Sequence, residues 1–370
     1  MNFSNLFSSI DNKLFTAICL LMILGFMMIM AASPAIAERI SVQQFHFIEK
    51  QLVYLILSVI IIIVVSAINE KTLRFIIFYG FVLTVVMLIA VLIIGDTTKG
   101  AKRWLNIGSF SLQPSELLKP FYSCIVAMVL ARKKDDLKNF LALITFHLFI
   151  ILLLLSQPDF GMLVLISTVF FIQLFIANIN ILWLLLLSLI FLFVAVIAYY
   201  LLPHVAKRIA GFLESDDGEI SYQIQRSLES YYQGGLWGKG PGEGTIKFKL
   251  PDAHTDFIFP VAAEELGIVF SIFILLLIMY IVIKSFIGIL QIKDSQYKFF
   301  TGFTIISYFA IQSIFNIAVT LNLVPTKGMT LPFISYGGSS LIAQSLMFGI
   351  FLNITKRKIV NDVLPIHARF

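Results

Sequence analysis

The side chains in this chain best suited to chemistry are acids and bases placed where polar stretches meet apolar ones. From Leu250 to Gly267 (LPDAHTDFIFPVAAEELG) a polar segment runs directly into an apolar run of membrane length. Asp256 falls on the boundary, and Glu264 and Glu265 follow roughly two to three turns further in if helix begins near Phe257. Carboxylates at such depth are costly and are kept for a function. A buried acid beside a sugar or phosphate substrate can act as general base, metal ligand or proton relay, and these roles stay open on residue types alone. His254, two residues before Asp256, is a second candidate base because its pKa lies near neutrality.

Two further clusters pair charge with the ends of apolar runs. Residues 99–119 (KGAKRWLNIGSFSLQPSELLK) carry Arg103 and Trp104, then Pro114 at a position suited to a first helical turn, with Gln113 or a neighbour as its cap. Glu116 and Lys119 stand three apart, on one helix face, where they can pair with each other. Alternatively Lys119 or Arg103 meets an anionic headgroup while Glu116 orients it. Residues 324–340 (VPTKGMTLPFISYGGSS) combine Pro332 with small residues from Ser335 to Ser340, Ser339 among them. Irregular backbone at membrane depth is tolerated only where protein or a water-filled cavity covers it, so this segment reads as a cavity wall or as a tight helix contact through small residues.

Between these clusters lies a glycine-rich bend, Gly234 to Gly244 (GGLWGKGPGEG), followed by Lys247 and Lys249. Glycine admits positive φ and close backbone approach, which serves a structural turn or direct contact with a ligand. The bend matches neither a Walker loop nor a Rossmann fingerprint. Asp159, after Pro158, is placed to cap the helix that follows. Asp216, Asp217 and Glu219 read as a solvated turn.

The elements that must position these groups are set by composition. Of 370 residues 59% are hydrophobic and 13% charged, with mean hydropathy +0.95. A soluble globule holds nearer ~45–50% apolar residues. The net charge of +6 is accounted for by basic residues facing anionic lipid, and no basic stripe interleaved with aromatics suggests nucleic acid. Cys19 and Cys124 lie far apart inside apolar runs, which argues against a disulfide framework or a CxxC metal site. The first apolar run, Leu14 to Ala32, exceeds a signal-peptide core of ~7–15 residues and reads as a retained span.

Runs long enough to cross ~30 Å of hydrocarbon recur at about 14–33, 50–68, 73–95, 113–131, 139–156, 160–178, 181–202, 257–283, 299–321 and 331–354. The expected fold is an all-α polytopic membrane protein of ten transmembrane helices, one membrane domain over residues 1–370, with a large exofacial loop of about 203–256 between helices 7 and 8. Short Lys- and Arg-rich connections (70–74, 132–138, 284–298, 356–358) belong in the cytoplasm, which places both termini there. Within the large loop, Lys207 to Glu219 reads as an amphipathic surface helix ending in the polar turn, and Tyr222 to Tyr232 has helical spacing.

Arg103-Trp104 with Gln113-Pro-Ser-Glu116, then Pro251 to Phe259 with Glu264-Glu-Leu-Gly267, then Leu331 to Ser340 together resemble the shape, elongation, division and sporulation (SEDS) family, in its order and over nearly the whole chain. Ala253-His254 and Pro325 to Gly328 are more similar to its division members than to its elongation members. Asp252 departs from the Glu more usual in division members, and the tail after Lys358 is short, which leaves tail-mediated docking without support.

The resemblance implies a peptidoglycan glycosyltransferase. Such an enzyme polymerises lipid II, an undecaprenyl-pyrophosphate-linked substrate, into β-1,4 glycan strands at the outer face of the inner membrane, at the division septum. It works with a class B penicillin-binding protein and other membrane proteins of the division complex. On that reading Asp256 takes the proton of the acceptor 4-hydroxyl. Arg103, Lys119, Lys247 and Lys249, or a divalent cation such as Mg2+ or Mn2+, offset the departing pyrophosphate. Trp104, Glu116, His254, Glu264, Glu265, Ser335 and Ser339 complete the expected substrate site. The rival readings are a lipid II flippase and a non-catalytic scaffold. Against a flippase, the candidate residues gather on one side and no internal repeat is visible.

Overall fold

The structure is a computed structural model, and it describes residues 10–98, 101–108, 110–132, 137–201, 206, 219–325 and 328–356. The expected surface helix Lys207 to Glu219, with Asp216 and Asp217, lies almost wholly outside them, as do Thr326 and Lys327. Ten described helices fall on the ten apolar runs: α1 (Asn12–Arg39), α2 (His46–Ala67), α3 (Glu70–Ile94), α4 (Pro114–Leu130), α5 (Leu137–Ser156), α6 (Phe160–Ile176), α7 (Ile181–Leu201), α9 (Ile258–Leu290), α10 (Gln296–Thr320) and α11 (Gly338–Ile354). The other described helix, α8 (Glu219–Gly234), takes up the helical spacing of Tyr222 to Tyr232. Six of them (α1, α2, α3, α5, α9 and α10) are long and apolar enough to cross a membrane by length and composition, and α6, α7 and α11 contain shorter apolar stretches.

Local chemistry sets several helix starts. Asp11, Asn69, Asp159 and Ser295 accept from the amides of Leu14, Thr72, Met162 and Lys298 at 3.2, 2.8, 3.4 and 3.4 Å, each satisfying one of the donors a helix start leaves open. Pro114 occupies the first turn of α4 as expected. Gln113 precedes it, but its side chain does not cap; its amide nitrogen reaches Ser115 Oγ at 3.1 Å and Asp159 Oδ2 at 3.3 Å instead. The last apolar run is helical only from Gly338, and 331–337 is irregular. Leu331, Phe333 and Ile334 there are buried, so protein covers that backbone.

No strand is expected from the all-α pattern of apolar runs, yet a small sheet forms. Between α3 and α4 the chain forms a three-stranded antiparallel sheet, β1 (Asp96–Thr98), β2 (Ala101–Ile107) and β3 (Phe110–Leu112), with β2 in the middle. A small sheet of this kind is marginal alone, since strands usually run ~5–6 residues; here β2 leans on α3 and α4.

The helix α9 is broken at Gly267 (φ 82°, ψ 173°). The amides of Ile268 and Val269, which a continuous helix would direct to the carbonyls of Glu264 and Glu265, donate to Gly235 O at 3.0 Å and Leu236 O at 3.3 Å. Lys239 and Gly240 donate to the two vacated carbonyls, each at 2.9 Å. The glycine-rich bend is thereby spliced into the helix, and these two amides and two carbonyls exchange their helical partners for the bend. The approach is too close for a side chain: a Cβ on Gly238 would lie 2.2 Å from Glu265 O, and one on Gly267 would lie 2.3 Å from Leu236 O.

Contacts sort the connections into two ends. At one end Asp11 pairs with Lys284 at 3.0 Å, Glu70 with Arg74 at 2.7 Å and Lys298 at 3.0 Å, and Asn353 donates to the carbonyls of Val65, Ser66 and Ile68. At the other end the sheet, Asp159, the Asp256 segment and 328–337 come together.

Candidate functional site

Residues 251–257 form a turn that presents Asp256 just before α9 begins. The carbonyl of Asp252, which sits at positive φ (54°), accepts from the amides of Thr255 at 3.0 Å and Phe257 at 3.3 Å and so winds the turn. Three successive carbonyls are then anchored from outside. His254 O accepts from Tyr336 N at 2.8 Å, Thr255 O from Ser335 Oγ at 2.6 Å, and Asp256 O from Asn316 Nδ2 at 2.9 Å. Ser335 Oγ also accepts from Leu331 N at 2.8 Å, so this expected site residue stitches the irregular 331–337 segment to the Asp256 turn. The Asp256 side chain is half-buried, and a Cβ placed on Gly328 would be 3.4 Å from its Oδ2. The Asp256 carboxylate is thus a half-buried acid on an anchored turn just before α9.

His254 is placed differently. Its ring is buried against Phe47 at 4.7 Å and Tyr336 at 5.1 Å between centroids. Burial pushes the imidazole down to about 4, against the pull of Asp252 and with the help of Arg39. A neutral ring walled in by aromatics is a packing residue of the turn. The unfolded chain binds a proton there near 6.5 and the folded chain resists until about 4, so this site's contribution to stability is complete above the higher value and shrinks as pH falls towards the lower. The melting temperature of wild type is therefore expected to fall more steeply than that of His254→Phe between about pH 6.5 and about pH 4. Parallel curves would refute a buried neutral histidine.

Glu264 and Glu265 are both buried. Glu264 accepts from the amides of Thr245 at 2.8 Å and Ile246 at 3.1 Å and pairs with Lys239 at 3.0 Å. Glu265 pairs with Lys247 at 2.6 Å and accepts from Gly242 N at 2.9 Å. Lys247 Nζ donates further to Gly242 O at 2.9 Å and Ala31 O at 3.0 Å, so its three hydrogens are all used. These three residues clamp loop 239–247 onto α9 and α1. Lys249, next to that clamp, is exposed.

Glu116 and Lys119 form the ion pair that their spacing suggests, at 2.6 Å, with Lys119 fully buried. Lys119 Nζ also donates to Gln312 Oε1 at 2.8 Å, and Gln312 Nε2 donates to Thr330 O at 2.9 Å. The α4 pair is thus wired to Thr330, two residues from Gly328, which faces Asp256. Arg103 binds the carbonyls of Gln157 and Pro158 and lies 3.8 Å from Asp159 Oδ1, tying β2 to the α5–α6 turn. Trp104 is half-buried opposite Asp96 on β1. Ser339 Oγ accepts from Gln113 N at 2.9 Å and donates to Ser111 O at 3.3 Å, joining α11 to the sheet.

Gln312 and Asn316 were not among the expected residues. Their signal was present: two amide side chains four apart in a span share a face, and polar residues at such depth point into the bundle. Among the described residues no three His, Cys, Asp or Glu side chains converge as a metal cage.

The family profile FtsW/RodA/SpoVE, described as cell cycle protein, matches residues 11–359. The chain is 36% identical over 353 residues to the "Probable peptidoglycan glycosyltransferase FtsW" of Caulobacter vibrioides, covering 94% of this chain and 90% of that one. It is 33% identical to the protein of the same name from Escherichia coli, covering 90% and 82%. Among solved structures it is similar in fold to a chain described under "Structural coordination of polymerization and crosslinking by a peptidoglycan synthase complex", with TM-score 0.78, 24% identity and 94% and 97% of the two chains covered. It is also similar to the rod shape determining protein RodA of Thermus thermophilus, with TM-score 0.69, 23% identity and 94% and 96% covered.

Proposed function

The chain belongs to the FtsW/RodA/SpoVE family of cell cycle proteins, and from that premise we propose that Asp256 is the general base with which it polymerises lipid II. It is a multi-pass membrane protein and a peptidoglycan glycosyltransferase of cell division. The observation that carries the assignment of Asp256 is its setting: a half-buried carboxylate on a turn whose three consecutive carbonyls are each anchored by a different donor.

In the reaction the acceptor 4-hydroxyl attacks the anomeric carbon of the donor. The new C–O bond forms as the bond to pyrophosphate breaks, the configuration inverts from α to β, and Asp256 receives the hydroxyl proton. The leaving pyrophosphate carries the electron pair and needs positive charge or a divalent cation beside it. Of the four cations expected at the site, Arg103, partly exposed, and Lys249, exposed, are in reach of solvent. Lys119 and Lys247 contribute by holding the walls, since each is already paired with a carboxylate.

The chain works as one membrane domain that crosses the bilayer ten times, with both termini in the cytoplasm, the Asp256 end outside and its place of action at the septum. The basic end carrying Arg74, Lys284 and Lys298 supports that orientation. A class B penicillin-binding protein is the partner that would cross-link the strands.

The test is to supply lipid II to the purified wild-type complex with its class B partner and to resolve the products on a gel, with a parallel assay of lipid II movement across vesicles. Glycan polymer is the expected result. Movement without polymer would replace the reading with a flippase, and neither activity would replace it with a scaffold.

A further inference from the structure

Asn316, on α10, ties the Asp256 turn to the segment that begins at Gly328. Its amide nitrogen donates to Asp256 O at 2.9 Å and to Met329 O at 2.6 Å, so both its hydrogens are used in bridging two segments 73 residues apart in sequence, 329 less 256. The side chain is buried, and its Oδ1 has no hydrogen-bond partner among the described residues. A buried carbonyl left without a donor costs stability. At this position in an apolar helix a hydrocarbon side chain of similar size would avoid that cost, so packing alone does not account for an amide. What the amide does is fix a distance. On one side of the clamp the backbone carries the Asp256 carboxylate; on the other it leads through Gly328, which faces Asp256 Oδ2.

We propose that Asn316 is a positioning residue of the transferase site, its amide locking the Asp256 turn against the 328–330 segment so that the carboxylate keeps its direction towards the acceptor hydroxyl. This rests on the reading of Asp256 as base. Ser335 and Tyr336 N hold the carbonyls of Thr255 and His254 from the 331–336 side, and Asn316 supplies the hold on Asp256 O from α10. Without the amide the two carbonyls it joins face each other with no donor between them. Like dipoles in that arrangement repel, and the segments move apart. Gln312, one turn earlier on the same helix face, binds Thr330 O and cannot replace it, because it does not reach the Asp256 turn.

The experiment uses the full chain in complex with its class B partner and lipid II as substrate. Wild type, Asn316→Ser, which keeps one donor, Asn316→Ala, which keeps none, and Asp256→Asn are compared per folded complex. Displacement of a reacting group by about 1 Å costs on the order of 100-fold in rate. The expected result is a kcat that falls through Ser to Ala by up to about that factor, with KM for lipid II unchanged within about twofold. A raised KM with kcat intact would make Asn316 a substrate contact and overturn the proposal. So would unchanged kinetics accompanied only by a lower melting temperature. Should the Ala variant fail to assemble, the Ser variant carries the same comparison. Wild-type kcat in Asp256→Asn would remove the base reading, and this inference with it. An inactive Asp256→Asn beside fully active Asn316 variants would remove this inference alone.

Discussion

The Lys247→Met variant is expected to lose about 3–5 kcal/mol of stability, the usual consequence of removing one partner from a buried ion pair. Lys247 and Glu265 are 4% and 2% exposed, and their 2.6 Å contact is reinforced by bonds from Lys247 to the carbonyls of Ala31 and Gly242. Methionine fills much of the stem's volume but leaves the Glu265 carboxylate with the Gly242 amide alone. The loop 239–247 then loses its tie to α1, and the backbone exchange at Gly267 loses its lateral support. The double variant Lys247→Met with Glu265→Gln removes both charges and is expected to recover a large part of the loss, because the isolated buried charge, more than the missing bond, is the main cost. Thermal unfolding of the purified protein in detergent reads both. A single variant that melts with wild type would show that the pair is solvated and that the clamp is not what holds the loop.

The second large effect is on turnover. Asp256→Asn keeps the size and shape of the side chain and removes its capacity to accept a proton. General-base assistance contributes typically 10²–10⁴-fold, so kcat is expected to fall by about that factor. The fold is expected to survive, because the bonds that anchor the turn go to the carbonyls of residues 254–256, which the substitution leaves in place. Glu264→Gln offers the contrast: its carboxylate receives the amides of Thr245 and Ile246 and the Lys239 ammonium, so its loss is expected to lower stability before it touches chemistry.

Much of the frame was legible in the sequence because hydrophobic length and charge spacing are local properties. The ten apolar runs became ten helices, the Asp159 cap formed, and the three-residue spacing of Glu116 and Lys119 produced their pair. Pro332 and the small residues after it announced the irregular 331–337 segment. The sheet at 96–112 was not legible, since its strands are short and held by neighbouring helices more than by their own alternation.

The glycine-rich bend was legible as a turn, but its role was not. That it exchanges hydrogen bonds with a break in α9 depends on two segments some thirty residues apart, 267 less 238 at their closest glycines, meeting in space. The same meeting explains Glu264 and Glu265. Adjacent helical positions point about 100° apart, so one short partner segment does not ordinarily engage both. The loop wraps far enough round α9 to engage both. Asn316 and Gln312 carried a sequence signal, their four-residue spacing on one helix face, but the carbonyls they meet lie in distant segments and only the fold brings those to them.

The central claim is that Asp256 performs the proton transfer of glycan polymerisation, and the most direct measurement is the time course of lipid II conversion by wild type and Asp256→Asn, each bound to the class B partner at equal folded concentration. The account predicts polymer from wild type and a rate lower by about 10²–10⁴-fold from the variant. Equal rates from the two complexes would contradict it and return the search for the base to the other acids of the site.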